Sequence, residues 1–283
     1  MNKIKKNISF NIEKISNSSA EKSRIPETIT EKKSIELCSF NEKTNIFQIE
    51  EPEININKID NEKVDSRLKS DDGYNPNSVK IILQNECKYD QNGNKIGSAY
   101  ENEEQLINDL IKLEQLYANF PNFRYYNQTL YDESYASYTI SKAGCCPTCL
   151  AMILTYLTGD EVLPTDLTDA MDEYCYSEGT DVTGDCFPEV CSKYNINAKK
   201  INWTDENEIR SALENNKPII LNVNKGDFTS SGHFIVLLGL DQDGNVIVAD
   251  PNNINTSVKT YSIDRLIEQT NQIEAACWSF ELK

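Results

Sequence analysis

From Pro218 onward the chain is a series of short apolar runs parted by turn residues, and that pattern commits its last third to a sheet. The runs are Ile219-Ile220-Leu221-Asn222-Val223, His233-Phe234-Ile235-Val236-Leu237-Leu238, Asn245-Val246-Ile247-Val248-Ala249 and Ala276-Cys277-Trp278-Ser279-Phe280. Between the second and third, Asp243-Gly244 tolerates the positive backbone angles of a tight turn, so those two strands are predicted to pair as a hairpin.

The region before Pro218 has a different period. From Glu103 to Phe120, Leu106, Leu110, Leu113 and Tyr117 recur at three- and four-residue steps, and Ile107, Ile111 and Leu116 widen the stripe. Pro121 is expected to stop this helix. A second helix is predicted from Cys145 to Leu157, with Pro147 in its first turn, Leu150, Ile153, Leu154 and Leu157 on its buried face, and Gly159 as its C-terminal cap. Shorter helices are predicted at Leu167–Tyr174, Phe187–Tyr194 and Glu206–Glu214, the last led by Thr204 and Asp205 as caps. Helices first and an antiparallel sheet afterwards define an α+β architecture.

A chain of 283 residues and 32.2 kDa suits one core domain with an extension. Residues 1–70 are rich in Asn, Lys, Glu, Ser and Ile without sustained periodicity, and are expected to be largely disordered. Glu53–Asn57 and Val79–Leu83 read as short strands, and Gln91-Asn92-Gly93-Asn94 as a turn. The expected division is therefore an extension over residues 1–100, disordered or accessory, and a single domain over residues 101–283.

Apolar residues at 39%, charged residues at 26% and a mean hydropathy of -0.55 exclude fibrous and membrane classes. The net charge of -17 is unevenly placed. Residues 1–100 hold 16 Lys and Arg against 16 Asp and Glu, which leaves 12 against 29 of the totals 28 and 45 for residues 101–283. Such a surface repels phosphate backbones and anionic headgroups, so nucleic acid and membrane insertion are not expected, and a basic or neutral polypeptide is the better partner. The basic amino terminus lacks a following apolar run, and no stretch nears the roughly 18 apolar residues of a membrane helix. A cytoplasmic location is expected, with release by lysis or a signal-less route open. Nine cysteines cannot all pair internally, and free thiols are expected.

Three residues from the two halves make a chemical set. Cys145 begins a predicted helix, where unpaired amides and the partial positive charge of the terminus favour thiolate. His233, the only histidine, opens a core strand after Ser230-Ser231-Gly232. Asp250 ends the next strand, so the predicted hairpin brings it beside His233, where a carboxylate orients an imidazole and stabilises its charged form.

Ser141-Lys142-Ala143-Gly144-Cys145-Cys146-Pro147-Thr148-Cys149-Leu150-Ala151-Met152 resembles the G-C-G-P-T-S-L-A-M helix start of the bacteriocin-processing-peptidase-like family, a papain-superfamily branch of cysteine peptidases. Ser231–Leu237 is similar to that family's S-G-H-F-I-V-L strand, and Val248–Asn252 to its N-D-P turn. The resemblance spans residues 131–283. It implies a papain-like fold in which a helical half carrying the nucleophile helix packs on a C-terminal antiparallel sheet. It also implies Cys145 as nucleophile, His233 as general base and Asp250 as orienting residue, acting through a thioester on a polypeptide, basic or glycine-rich, with no metal or organic cofactor. Cys146 stands where the family has glycine; Pro147 and Thr148 align with the family's Pro-Thr when Cys145 is the nucleophile. Papain takes an oxyanion donor from a glutamine six residues before its nucleophile, a position held here by Thr139, whose hydroxyl is a secondary candidate beside the Cys145 amide.

Two other chemistries fit the same residues. Cys146-Pro147-Thr148-Cys149 has C-x-x-C spacing and reads as a redox dithiol, or as half of a zinc site completed by Cys186 and Cys191. The same thioester could instead pass to an amine or arise from a side-chain amide, giving an acyltransferase or deamidase on one fold.

Overall fold

The computed structural model describes residues 38–41, 46–49, 69–70, 73–74, 76–175, 184–272 and 277–283. The chain forms two units, Met1–Asn55 and Ile56–Lys283. In the first, β1 (Cys38–Asn41) pairs antiparallel with β2 (Ile46–Ile49). The strand expected at residues 53–57 and nearly all of the disorder expected over residues 1–70 fall outside the described residues.

The second unit opens with a short ladder, β3 (Lys69–Ser70) with β4 (Gly73–Tyr74), and then α1 (Pro76–Asn85). The Val79–Leu83 run is thus helical, not a strand. Val79 and Ile82 are buried and Leu83 is partly buried while Lys80 is exposed, so the apolar residues fall at three- and four-residue steps on one face. A five-residue apolar run cannot by itself separate a strand from a buried helix segment. A hairpin follows, β5 (Cys87–Tyr89) and β6 (Lys95–Ser98), around the turn expected at Gln91–Asn94. Val79, Ile82, Ala99 and Tyr100 join the same core as the helices that follow, so the boundary expected at residue 100 cuts through packed structure.

Next comes α2 (Glu103–Leu116), capped by the Asn102 side chain on the Gln105 amide. It stops short of the expected Phe120. The residue before Pro121 is pushed away from helical angles, and Tyr117 already leaves the helix to donate its hydroxyl to the Val248 carbonyl at 2.9 Å. A small ladder, β7 (Ser134–Tyr135) with β8 (Tyr138–Thr139), leads into α3 (Ile140–Ala143) and then α4 (Cys145–Thr158). The helix α4 ends at Gly159, whose positive φ of 78° closes it as expected. It is buried from Cys146 to Thr155, the signature of a helix enclosed on all sides. Two short helices, α5 (Thr168–Cys175) and α6 (Phe187–Ser192), complete this half.

The remaining elements are β9 (Ile196–Lys200), α7 (Glu206–Glu214), β10 (Ile219–Val223), β11 (His233–Leu240), β12 (Val246–Ala249), α8 (Ile254–Ser257), β13 (Thr260–Tyr261), α9 (Ile263–Gln269) and β14 (Cys277–Leu282). Six strands form one antiparallel sheet in the order β13-β12-β11-β10-β14-β9. Alternate side chains serve opposite faces. Ile220, Phe234, Val236 and Leu238 join the core around α4, whereas Ile219, Leu221, Ile235 and Leu237 join a second core with Ile209 and Leu213 of α7 and Ile263 and Leu266 of α9. The architecture is α+β, with α4 on one face of the sheet. Among the described residues no helix is long and apolar enough to cross a membrane.

Ile82 is fully buried in the core that also holds Leu150 and Ile153. Ile82→Ala is expected to cost about 2–5 kcal/mol of unfolding free energy, read from urea denaturation of the full chain. A loss below about 0.5 kcal/mol, the range of surface substitutions, would show that residues 76–100 do not belong to this core.

Candidate active site

The site begins with how two short helices meet. Between α3 and α4 lies Gly144, where a Cβ would come 2.6 Å from the Ile140 carbonyl oxygen, so only glycine lets the chain turn into α4 there. Successive helix positions are about 100° apart. Cys145 is consequently half-buried while Cys146 points into the core at 1% exposure. Burial pushes the Cys146 thiol well above its ordinary pKa, and the neighbouring Cys145 adds to this. Of the two adjacent thiols, Cys145 is the one that adds to the upward push on the His233 imidazole.

His233 and Asp250 meet because of strand register. Val236 pairs with Ala249, so the start of β11 and the residue that follows β12 lie at the same end of the sheet. The ring Nε2 lies 2.7 Å from Asp250 Oδ1. The ring is 7% exposed and the carboxylate is fully buried. Burial alone would lower the imidazole pKa; the Asp250 charge and hydrogen bond, with a further contribution from Cys145, outweigh it and push it up to about 10.

Asp250 is held on every side. Oδ1 also accepts the Asn252 amide at 2.9 Å, and Oδ2 accepts the Thr256 hydroxyl at 2.7 Å. Its amide donates to Ser257 Oγ at 2.9 Å, and its carbonyl accepts the Tyr125 hydroxyl at 2.7 Å. The Asp-Pro-Asn segment is therefore a side-chain-to-backbone turn that aims a carboxylate.

Each of the two secondary candidates has its own surroundings. Thr139 sits at the start of α3, and its hydroxyl bonds Ser141 Oγ at 2.8 Å. The side chain of Cys146 is enclosed in the core, where it faces no substrate. Cys149 is also fully buried, pushed well up by burial, and its thiol donates to the Phe234 carbonyl at 3.3 Å, tying α4 to β11 directly behind the site. A dithiol needs accessible, ionisable sulfur, which the C-x-x-C pair does not offer. Cys186 is disulfide-bonded, contrary to the expectation of free thiols throughout, and cannot lend a thiolate to zinc; six other cysteines are free. Among the described residues no three His, Cys, Asp or Glu gather where a metal could sit.

Three supporting residues carry no sequence signature. Thr256 and Ser257 sit in an Asn- and Thr-rich stretch that reads as loop. Gln128 donates its backbone amide to the Pro251 carbonyl at 2.7 Å and its side-chain amide to the Ile140 and Ser141 carbonyls at 3.4 and 3.3 Å. It laces the Asp250 turn to the approach of the nucleophile helix.

The His233 shift has a definite sign for stability: a folded-state value above the ordinary 6.5 adds stability that is complete below about 6.5 and is lost as the pH rises through about 10. With a single histidine in the chain, histidine-labelled NMR sees one imidazole. It is expected to remain protonated at about pH 8, with a midpoint that falls in Cys145→Ala because one of its supports is gone. A parent midpoint at or below 6.5 would contradict the coupling.

No curated protein matches the sequence. Among solved structures, a C39-like peptidase from Bacillus anthracis aligns at 18% identity and a TM-score of 0.42, over 57% of this chain and 96% of that one. The peptidase domain of Streptococcus ComA, a bifunctional ABC transporter of a quorum-sensing pathway, aligns at 19% identity and a TM-score of 0.37, over 50% and 93%. The sequence profile of the Peptidase_C39 like family matches residues 120–279, over half of the chain. That span takes in α4, β11 and the Asp250 turn, and the chain belongs to this family of papain-like cysteine peptidases.

Proposed function

We propose that Cys145, His233 and Asp250 form the catalytic triad of this peptidase and that peptide bonds are cleaved through a thioester on Cys145. The observation that supports this most is the buried His233 ring, held by Asp250 Oδ1 at 2.7 Å, with Cys145 the thiol that adds to the upward push on its imidazole. In the resting pair the imidazole takes the thiol proton. The thiolate attacks the substrate carbonyl, forming a C–S bond, and the carbonyl oxygen takes the negative charge. Collapse of this adduct breaks the C–N bond, and the imidazolium gives its proton to the departing amine. His233 then removes a proton from water, which attacks the thioester and releases the acid and the thiol.

The developing oxyanion is best served by the Cys145 backbone amide, in the first turn of α4 where helix amides lack intrahelical partners. Asp250 holds the ring in place through its 2.7 Å contact with Nε2. The substrate is a polypeptide. A basic peptide fits the acidic balance of residues 101–283, which hold 29 of the 45 Asp and Glu and only 12 of the 28 Lys and Arg. We place the catalytic elements in residues 101–283 and give residues 76–100 a share in the same packing.

An electrophilic peptide trap followed by mass spectrometry tests nucleophile and register together. The parent is expected to be labelled once, at Cys145. Cys145→Ala should lose the label and at least about 10³-fold of peptide cleavage. Cys146→Ala should keep the label while losing roughly 1 kcal/mol of stability from the vacated core position. Labelling at Cys146 would reverse the register, and release of ammonia without peptide fragments would replace cleavage by deamidation.

A further inference from the structure

We infer that Glu86 is a positioning residue of the acid–base pair: its buried carboxyl holds the segment whose Thr256 hydroxyl fixes Asp250 against His233. The inference rests on the triad reading above and extends it to a residue from the part of the chain before residue 100.

Glu86 is 1% exposed and lies between α1 and β5. Its Oε1 accepts Asn127 Nδ2 at 2.8 Å and its Oε2 accepts the Ile254 amide at 2.9 Å. All these partners are donors. The orientation of Asn127 is not free, because its Oδ1 accepts both the amide and the hydroxyl of Thr129, at 3.0 and 2.7 Å, which turns its NH2 group toward Glu86. A side chain with two acceptor oxygens is therefore required, and a carboxylate provides it. Burial and the Asp250 charge push the Glu86 carboxyl up, while the Ile254, Asn127 and Asn255 donors pull it back.

What Glu86 grips is a single turn that has little order of its own. The helix α8 spans four residues, too few to be stable alone, yet it carries Thr256 and Ser257, which bond the side chain and backbone of Asp250. The next residue along continues the grip, since Asn253 Nδ2 donates to the Cys87 carbonyl at 2.6 Å. The same hairpin reaches the other strand of the pair. Lys225 Nζ bonds Asn94 Oδ1 at 3.1 Å, and a Cβ on Gly93 would come 2.7 Å from the Gly226 amide nitrogen and the Thr229 carbonyl, in the loop that leads to His233. Residues 86–94 thus touch the approach to His233 and the segment behind Asp250 together.

The titratable groups facing Asp250 are His233, Glu86, Tyr89, Tyr125, Tyr261 and Cys149, and His233 itself faces Asp250 and Cys145. Burial raises the tyrosines and Cys149, so they stay neutral around pH 7. Of these neighbours Glu86 is the other carboxyl group, and the Asp250 charge adds to the burial that pushes it up.

The test compares the full-length parent with Glu86→Gln, Glu86→Asp and His233→Ala, using the His233 imidazole midpoint by NMR, the rate of Cys145 alkylation by iodoacetamide, and kcat and KM on a peptide. Gln offers one acceptor oxygen where two are needed, and Asp keeps the charge but is too short to reach both partners. Each is expected to lower kcat by about 10- to 100-fold with little change in KM, as a loosened catalytic geometry does, to slow Cys145 alkylation near pH 7, and to bring the imidazole midpoint down toward its ordinary value. A merely structural residue would lower thermal stability and leave the midpoint of the folded protein unchanged. If His233→Ala leaves Cys145 alkylation untouched, the triad reading fails. If alkylation depends on His233 while neither Glu86 variant moves the midpoint or kcat, only the role of Glu86 is overturned. Failure of both Glu86 variants to fold would assign the residue to general packing and overturn it equally.

Discussion

The arrangement depends on one buried contact, the 2.7 Å pair between His233 and Asp250. Removing an imidazole and a carboxylate from water is costly, and their mutual attraction compensates only when the remaining lone pairs and protons are satisfied. That condition explains the surroundings of Asp250. The Asn252 amide shares Oδ1 with the ring, the Thr256 hydroxyl takes Oδ2, and Ser257 and Tyr125 occupy its backbone groups. Removing one partner would leave a buried charge exposed to nothing, so the loop after β12 is irregular in dihedral angles and strict in hydrogen bonding.

The same reasoning selects one cysteine out of three. Cys145, Cys146 and Cys149 lie within five residues on one helix, and their intrinsic chemistry is identical. Environment separates them. Cys146 and Cys149 are enclosed by apolar side chains that disfavour a charged sulfur, and Cys149 further spends its proton on the Phe234 carbonyl. Cys145, first in the helix and half-buried, adds to the upward push on the imidazole. A glycine directly after Cys145 is therefore not required for this fold: Cys146 has room in the core.

How much of this the amino-acid sequence discloses follows from which forces leave a pattern. The α4 helix with its Gly159 cap, α7 between Asp205 and Glu214, and the strands at Ile219, His233 and Val246 were legible because burial on fixed faces imposes periodicity and turns impose glycine. The meeting of His233 with Asp250 was legible because hairpin register follows from turn position. Strand β9, Ile-Asn-Ala-Lys-Lys, was not, since it is an edge strand whose side chains are exposed at three of its five positions, with Ile196 alone fully buried. The helix at Val79–Leu83 was lost to an ambiguity of period. Gln128, Thr256 and Glu86 act through hydrogen bonds to backbone atoms far along the chain, and such bonds leave no trace in local composition.

That last class of contact also changes what the region before residue 100 is for. Its polar composition suggests an arm, and an arm could cover a cleft or dock a partner. Yet α1 places Val79 and Ile82 in the core, and the hairpin after it meets the loop before His233 and the turn after Asp250. Strands β11 and β12 end at the site, and beyond their ends no sheet hydrogen bonds hold the chain. Elements that must present catalytic groups at a sheet end need bracing from outside the sheet, and here the bracing comes from residues that precede the helical half altogether. A carboxylate at Glu86 suits the task because it accepts from both donors at once, and it joins an asparagine fixed by Thr129 to the Ile254 amide at a single buried point.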